Sequence, residues 1–267
     1  MKWSFSNIAW SAEDDEEMYR RLAEAGFSYI EIAPTRILGE QPYQQMETAA
    51  EWSRNLKHNY GFMVSSMQSI WYGRTEKLFA DVHQRKVLLE YTKDAILFAE
   101  KIGCPHLVFG CPKNRIIPDS VDMHIGEAFF EELAAFAESH MTVIGMEANP
   151  SIYGTNYINT TQQALDLIRK INQKGFRLNL DTGTMIANHE SAEIIKGSVD
   201  LISHVHISEP FLKQIEKRKL HRDILDILRD EGYNGCVSVE MGNSGDLQAV
   251  QNVIKYVCEM MDERAGE

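Results

Sequence analysis

Apolar and polar positions alternate with a period of two in four short stretches of the chain, the signature of β-strands with two different faces. In FRLNLDTG (residues 176–183), Phe176, Leu178 and Leu180 make an apolar face, and Arg177, Asn179 and Asp181 a polar one. In GCVSVEMG (235–242), Val237, Val239 and Met241 oppose Cys236, Ser238 and Glu240. In TVIGMEANP (142–150), Val143, Gly145, Glu147 and Asn149 share a face. In LISHVHISEP (201–210), Ile202, His204, His206 and Ser208 share one, against Leu201, Ser203, Val205 and Ile207. Each stretch carries an ionisable residue near its C-terminal end, on the smaller or more polar face. Four such ends converge when the strands run parallel and close into a barrel, where active-site groups sit at the carboxyl ends.

The rest of the chain continues the alternation. Strands are expected at 4–10, 28–33, 62–70, 106–110, 142–149, 176–181, 201–208 and 237–241. Helices are expected at 13–25, 43–60, 82–102, 121–140, 160–172, briefly at 191–196, and at 221–231 and 246–261. Ser11 is a candidate helix N-cap, and Gly26, Gly61, Gly103 and Gly232 read as helix stops. Strict strand–helix alternation predicts a parallel sheet. Eight such units in 267 residues, without a linker or a shift in composition, predict one (β/α)8 TIM barrel spanning 1–267. No GxGxxG follows a strand and no GxxxxGK[ST] occurs, so neither a dinucleotide nor a P-loop site is expected.

Composition narrows the partners. With 44% hydrophobic and 25% charged residues the chain reads as a soluble globular protein. Its 27 basic residues against 39 acidic ones leave a net charge of −12, which argues against nucleic acid or an anionic membrane as the main partner. No apolar run of about 18 residues is present, so no membrane span is expected. The opening MKWSFSNIAW has neither a long apolar segment nor a small-residue cleavage site, so no signal peptide is expected. Cys104, Cys111, Cys236 and Cys258 form no CxxC pair and read as reduced thiols, which points to the cytoplasm.

The chemistry follows from the strand ends. Glu147, Asp181, His206 and Glu240 fall at the ends of strands five to eight, neighbours in a barrel. Three carboxylates so close repel unless a proton or a cation intervenes. A divalent metal held by oxygen ligands and one imidazole resolves this; Mn²⁺, Mg²⁺, Co²⁺ and Zn²⁺ all suit that donor set.

The Glu–Asp–His–Glu order on consecutive strands resembles the xylose isomerase-like TIM barrels, which include ketose 3-epimerases, hydroxypyruvate isomerases, inosose-processing enzymes and endonuclease IV. The resemblance covers nearly the whole chain. It implies that Glu147, Asp181, His206 and Glu240 hold one divalent metal, with Mn²⁺ the leading candidate. It further implies that Glu147 and Glu240 double as the catalytic acid/base pair, moving a proton through an enediolate of a sugar or sugar-phosphate substrate. The chain departs from the ketose 3-epimerase pattern at two positions: Thr184 replaces a histidine three residues after the metal Asp, and Leu212 an arginine six residues after the metal His.

Further candidates for substrate contact are Glu31, Gln68, Trp71, Tyr72, Asn149, Tyr153 and His204, with Glu209 and His221 more remote. Glu31 reads equally as the partner of Arg177 in a barrel-interior ion pair, His204 as a hydrogen-bonded residue one layer deeper, and the aromatics as packing under loops. Lys113 and Arg115, on the loop GCPKNR, form a candidate anion anchor that would replace the handles lost at Thr184 and Leu212. The leading function is a metal-dependent sugar or sugar-phosphate isomerase or epimerase. An inosose-type dehydratase uses the same chemistry. An endonuclease IV-like nuclease fits poorly with nine histidines and a charge of −12, and a non-catalytic sugar-binding barrel has no use for two bases. Self-association into a homo-oligomer stays open.

Overall fold

The computed structural model describes residues 1–262. In chain order it runs β1 (Lys2–Ser6), α1 (Asp15–Glu24), β2 (Tyr29–Ile32), α2 (Pro34–Leu38), α3 (Met46–Tyr60) and β3 (Met63–Met67). It continues with α4 (Val82–Ile102), β4 (His106–Phe109), α5 (His124–Ser139), β5 (Val143–Glu147), α6 (Thr161–Ile171) and β6 (Phe176–Asp181). The last elements are α7 (Thr182–Ala187), β7 (Ile202–Ser208), α8 (Lys219–Asp230), β8 (Cys236–Glu240) and α9 (Leu247–Asp262). The strands pair in parallel in chain order, and β8 pairs with β1, closing a (β/α)8 TIM barrel.

The period-two pattern explains the layering. Phe5, Ile30, Leu107, Ile144, Leu178, Val205 and Val237 are buried in one hydrophobic core together with helix residues such as Leu88, Ala95, Ile96 and Ala99 of α4. The alternate positions meet across the barrel and are polar. Ser66 of β3 reaches His204 of β7, and His106 of β4 stacks on His204 with ring centroids 4.8 Å apart. Gly145 makes room for this stack: a Cβ there would lie 2.2 Å from the His106 ring. Burial holds the imidazoles of His106 and His204 below their ordinary pKa, so both are uncharged at neutral pH.

Local signals set the helix ends. α4 starts where the Asp81 carboxylate accepts the Gln84 N–H at 2.9 Å and stops at Gly103, whose φ of +70° suits glycine. α6 opens with a capping box formed by Thr160 and Gln163.

Several expected boundaries shift. The strand expected over 4–10 ends at Ser6, where Asn7–Ala9 form a 3₁₀ turn. The helix expected over 43–60 starts only at Met46, after a 3₁₀ turn at Pro42–Gln44, and 191–196 is a 3₁₀ turn over Ala192–Ile195. The Ser11 hydroxyl donates to the Asp14 carboxylate at 2.5 Å rather than capping the backbone. α2 and α7, of five and six residues, are too short to show helical periodicity. Among the described residues no helix is long and apolar enough to cross a membrane.

Candidate metal centre

Register brings the strand ends together. Glu147 lies opposite Asn179, Asp181 opposite His206, and Ser208 opposite Glu240. As a result Glu147, Asp181, His206 and Glu240 each present one ligand atom within 4.8 Å of all the others. His206 Nδ1 lies 3.2 Å from Glu147 Oε2, 3.3 Å from Glu240 Oε2 and 3.9 Å from Asp181 Oδ2. Its Nε2 points the other way, 2.8 Å from Glu31 Oε2.

A ring of neutral donors fixes the carboxylates. Asn149 donates to Glu147 Oε1 at 2.9 Å and Asn179 to Glu147 Oε2 at 2.8 Å. The Thr184 N–H donates to Asp181 Oδ1 at 2.6 Å, capping α7, and the Ser208 hydroxyl donates to Asp181 Oδ2. Burial, reinforced by repulsion from Glu147 and Glu31, pushes Glu240 up to about 7 despite the nearby His206. Burial and Glu147 likewise push Asp181 up to about 6. Burial opposes charge on His206, but Glu31 and Glu240 overcome it and raise its pKa well above the ordinary value. The cluster therefore holds a proton where its charges converge, and a divalent cation would take that proton's place.

The donor set fits such a cation. Three carboxylates and one imidazole suit a hard or borderline divalent ion. With its Nε2–H donated to Glu31, His206 turns the Nδ1 lone pair towards the carboxylates; metal-bound histidines are oriented by carboxylates in this way.

The centre opens into a cavity of about 360 Å³ at the carboxyl end of the barrel. Of the expected substrate contacts, Gln68, Asn149 and Tyr153 line it, as do Glu209, Phe211 and Leu212. Thr184 does not reach it; its hydroxyl donates to the Ala148 carbonyl at 2.6 Å.

Other expectations need correcting. Arg115 is no surface anchor: it is fully buried and donates to the Glu147 carbonyl and to Asn149 Oδ1, each at 2.9 Å. The chain turns at Cys111 (φ +48°) and through Pro112–Asn114, which carries Arg115 inward and leaves Lys113 exposed away from the cavity. Trp71 is core: its indole N–H donates to Thr92 at 2.8 Å, and its ring meets Phe109 and Phe129 edge-on. Glu31 lies beneath His206 rather than in the cavity, and it makes no pair with Arg177, which donates to the backbone carbonyls of Gln173 and Phe176. His204 sits one layer down, its Nε2 3.2 Å from both Glu31 and Ser66. His221 hydrogen-bonds Tyr256, and Tyr72 faces a second cavity. The sequence reading passed over Asn179 and Ser208 as site residues, although each shares a strand face with an expected ligand, Asp181 and His206 respectively.

Comparison with known proteins identifies the family and the fold. The family model of the xylose isomerase-like TIM barrel matches residues 19–263. An uncharacterised protein of Methanocaldococcus jannaschii is 24% identical over 198 residues, 68% of this chain and 66% of that protein. The solved structure of a D-psicose 3-epimerase, determined in the presence of D-fructose, superposes over the full length of both chains with a TM-score of 0.78 at 18% identity. The 3-keto-D-glucoside 4-epimerase of E. coli gives a TM-score of 0.74 at 18% identity, covering 97% of this chain and 99% of that one. The IolI protein with a bound zinc gives 0.73 at 17% identity, covering 98% and 99%. These structures share the fold.

Proposed function

The chain belongs to the xylose isomerase-like TIM-barrel family, and on that footing we propose that it is a divalent-metal-dependent sugar isomerase or epimerase. The observation that carries this reading is the convergence of Glu147 and Glu240 on one imidazole nitrogen, from strands β5 and β8 that flank the Asp181 and His206 strands. Two acid/base groups on either side of one cation site are what moving a proton next to a carbonyl requires. The likeness of fold to sugar epimerases supports the same substrate class.

Glu147, Asp181, His206 and Glu240 would hold the metal, for which we favour Mn²⁺ over Mg²⁺, Co²⁺ and Zn²⁺. When bound, it would polarise a sugar carbonyl and the adjacent hydroxyl, making the proton between them removable. Glu240, facing the cavity from β8, would take or give that proton. Glu147, held on both oxygens by Asn149 and Asn179, is the second base. Return of the proton to the same carbon from the other face gives an epimer; return to the neighbouring carbon gives the aldose or ketose isomer. Val108, Phe211 and Leu212 supply apolar wall that limits water around the reacting carbons.

The reading is tested by incubating the Mn²⁺-loaded protein with ketoses, aldoses and their phosphates and resolving the products by NMR. Epimer or isomer formation that stops on chelation supports it; no conversion of any sugar under these conditions contradicts it.

A further inference from the structure

A second cavity, of about 870 Å³, lies beside the metal cavity on the loops that follow β1, β2 and β3. Ser69 lines both cavities, and its hydroxyl donates to the side chain of Gln68, which faces the metal cavity. The two cavities therefore border on the same residue, and a ligand reaching past Ser69 from the metal would enter the larger space. Its walls combine the 70% exposed ring of Tyr72 and part of Tyr91 with the short polar groups of Ser11, Thr35 and Gln41. A flat ring and scattered hydrogen-bonding groups suit a sugar, whose C–H face packs on the aromatic while its hydroxyls bond at the rim.

The charges oppose an anionic ligand. Two guanidiniums face the second cavity, and each is already neutralised: Arg36 by Asp15 at 2.6 Å, and Arg74 by Glu76, its Nε 3.0 Å from Oε2. Among the described residues no lysine or arginine lines the metal cavity, whereas Glu147, Asp181, Glu209 and Glu240 all do. A phosphate in either space would lack a free counter-charge.

We propose that the second cavity is a subsite for a second, uncharged sugar unit, so that the substrate is a neutral two-unit sugar with its reacting end at Glu147 and Glu240 and its other ring against Tyr72. This rests on the isomerase or epimerase reading.

Calorimetric titration of the Mn²⁺-loaded protein with fructose, fructose 6-phosphate, lactulose and isomaltulose tests it. At least one of the two disaccharides is expected to bind about tenfold more tightly than fructose, and fructose 6-phosphate no more tightly than fructose. The preference for two units should vanish in Tyr72→Ala and return in Tyr72→Phe, which keeps the ring. Equal binding of all neutral sugars, tightest binding of the phosphate, or a preference untouched by Tyr72→Ala overturns the proposal. Solvent deuterium uptake in the same samples reads the reaction separately. Uptake by fructose without a two-unit preference sinks the subsite alone, whereas a Tyr72-dependent preference without uptake by any sugar upholds the subsite and sinks the reaction.

Discussion

Glu31 Oε2 lies 2.8 Å from His206 Nε2, and both side chains are wholly shut off from solvent. Burial alone would neutralise both groups, yet His206 and His204 hold Glu31 well below the usual carboxylate range, while Glu31 and Glu240 hold His206 well above its own. The pair sets the rotation of the imidazole, and so decides that Nδ1 rather than Nε2 faces Glu147, Asp181 and Glu240.

Replacing Glu31 by Gln should therefore weaken divalent-cation binding by about 10–100-fold, the usual cost of losing such an outer partner. Calorimetric titration of Mn²⁺ into the chelated variant measures this. Unchanged affinity would mean that packing alone orients His206.

Cation affinity should also depend on pH in an unusual range. Ligand carboxylates bind metal only when deprotonated, and Glu240 and Asp181 are pushed up to about 7 and about 6. Affinity should fall as the pH drops through 7 and then 6, and above pH 7 it should go on rising until His206, held well above its ordinary pKa, gives up its proton; protons are released on binding. An affinity that stays level down to pH 5, as ordinary carboxylates near 4 would give, contradicts the arrangement.

His221 sets a separate pH dependence, on stability. Burial, and less strongly Arg218, lowers its pKa to about 4, against about 6.5 for an unperturbed imidazole. Between those values the unfolded chain binds a proton that the folded chain refuses, so stability is full above about pH 6.5 and is lost as the pH falls towards 4. The loss amounts to about 3 kcal/mol when complete. Urea unfolding at pH 7, 5.5 and 4.5 should show this slope in the wild type and a much flatter one in His221→Gln; identical slopes contradict it.

Arg115→Met should destabilise the fold by roughly 2 kcal/mol or more, because charge-assisted hydrogen bonds contribute about 1.5–3 kcal/mol each. The Glu147 carbonyl and Asn149 Oδ1 lose their donor in that variant. Denaturant midpoints measure the effect. A stable variant with a raised KM for phosphorylated sugars alone would restore Arg115 as an anion anchor.

The barrel was legible because its evidence is local: period-two strands, helices of ten or more residues, and glycine stops such as Gly103 each declare themselves within a short window. The grouping of Glu147, Asp181, His206 and Glu240 was legible for the same reason, once neighbouring strands were taken to end at one rim. The contact between Glu31 and His206 joins β2 to β7 across the barrel, and nothing near either residue in the chain records that pairing. Arg115 was misread because a positive φ at Cys111 and a single 3₁₀ turn decide whether it faces water or the core. Trp71 depended in the same way on a loop path closing it against Phe109.

The central claim is that Glu147 and Glu240 move a proton on a sugar beside a bound divalent cation. The most direct measurement is solvent deuterium incorporation at the carbons flanking the keto group of lactulose or fructose, followed by NMR in D₂O. The account predicts uptake by the Mn²⁺-loaded wild type, loss on chelation, and a fall of about 10²–10⁴-fold in Glu147→Gln and Glu240→Gln with the fold retained. Uptake that survives chelation, or that proceeds at the wild-type rate in either glutamine variant, would contradict it.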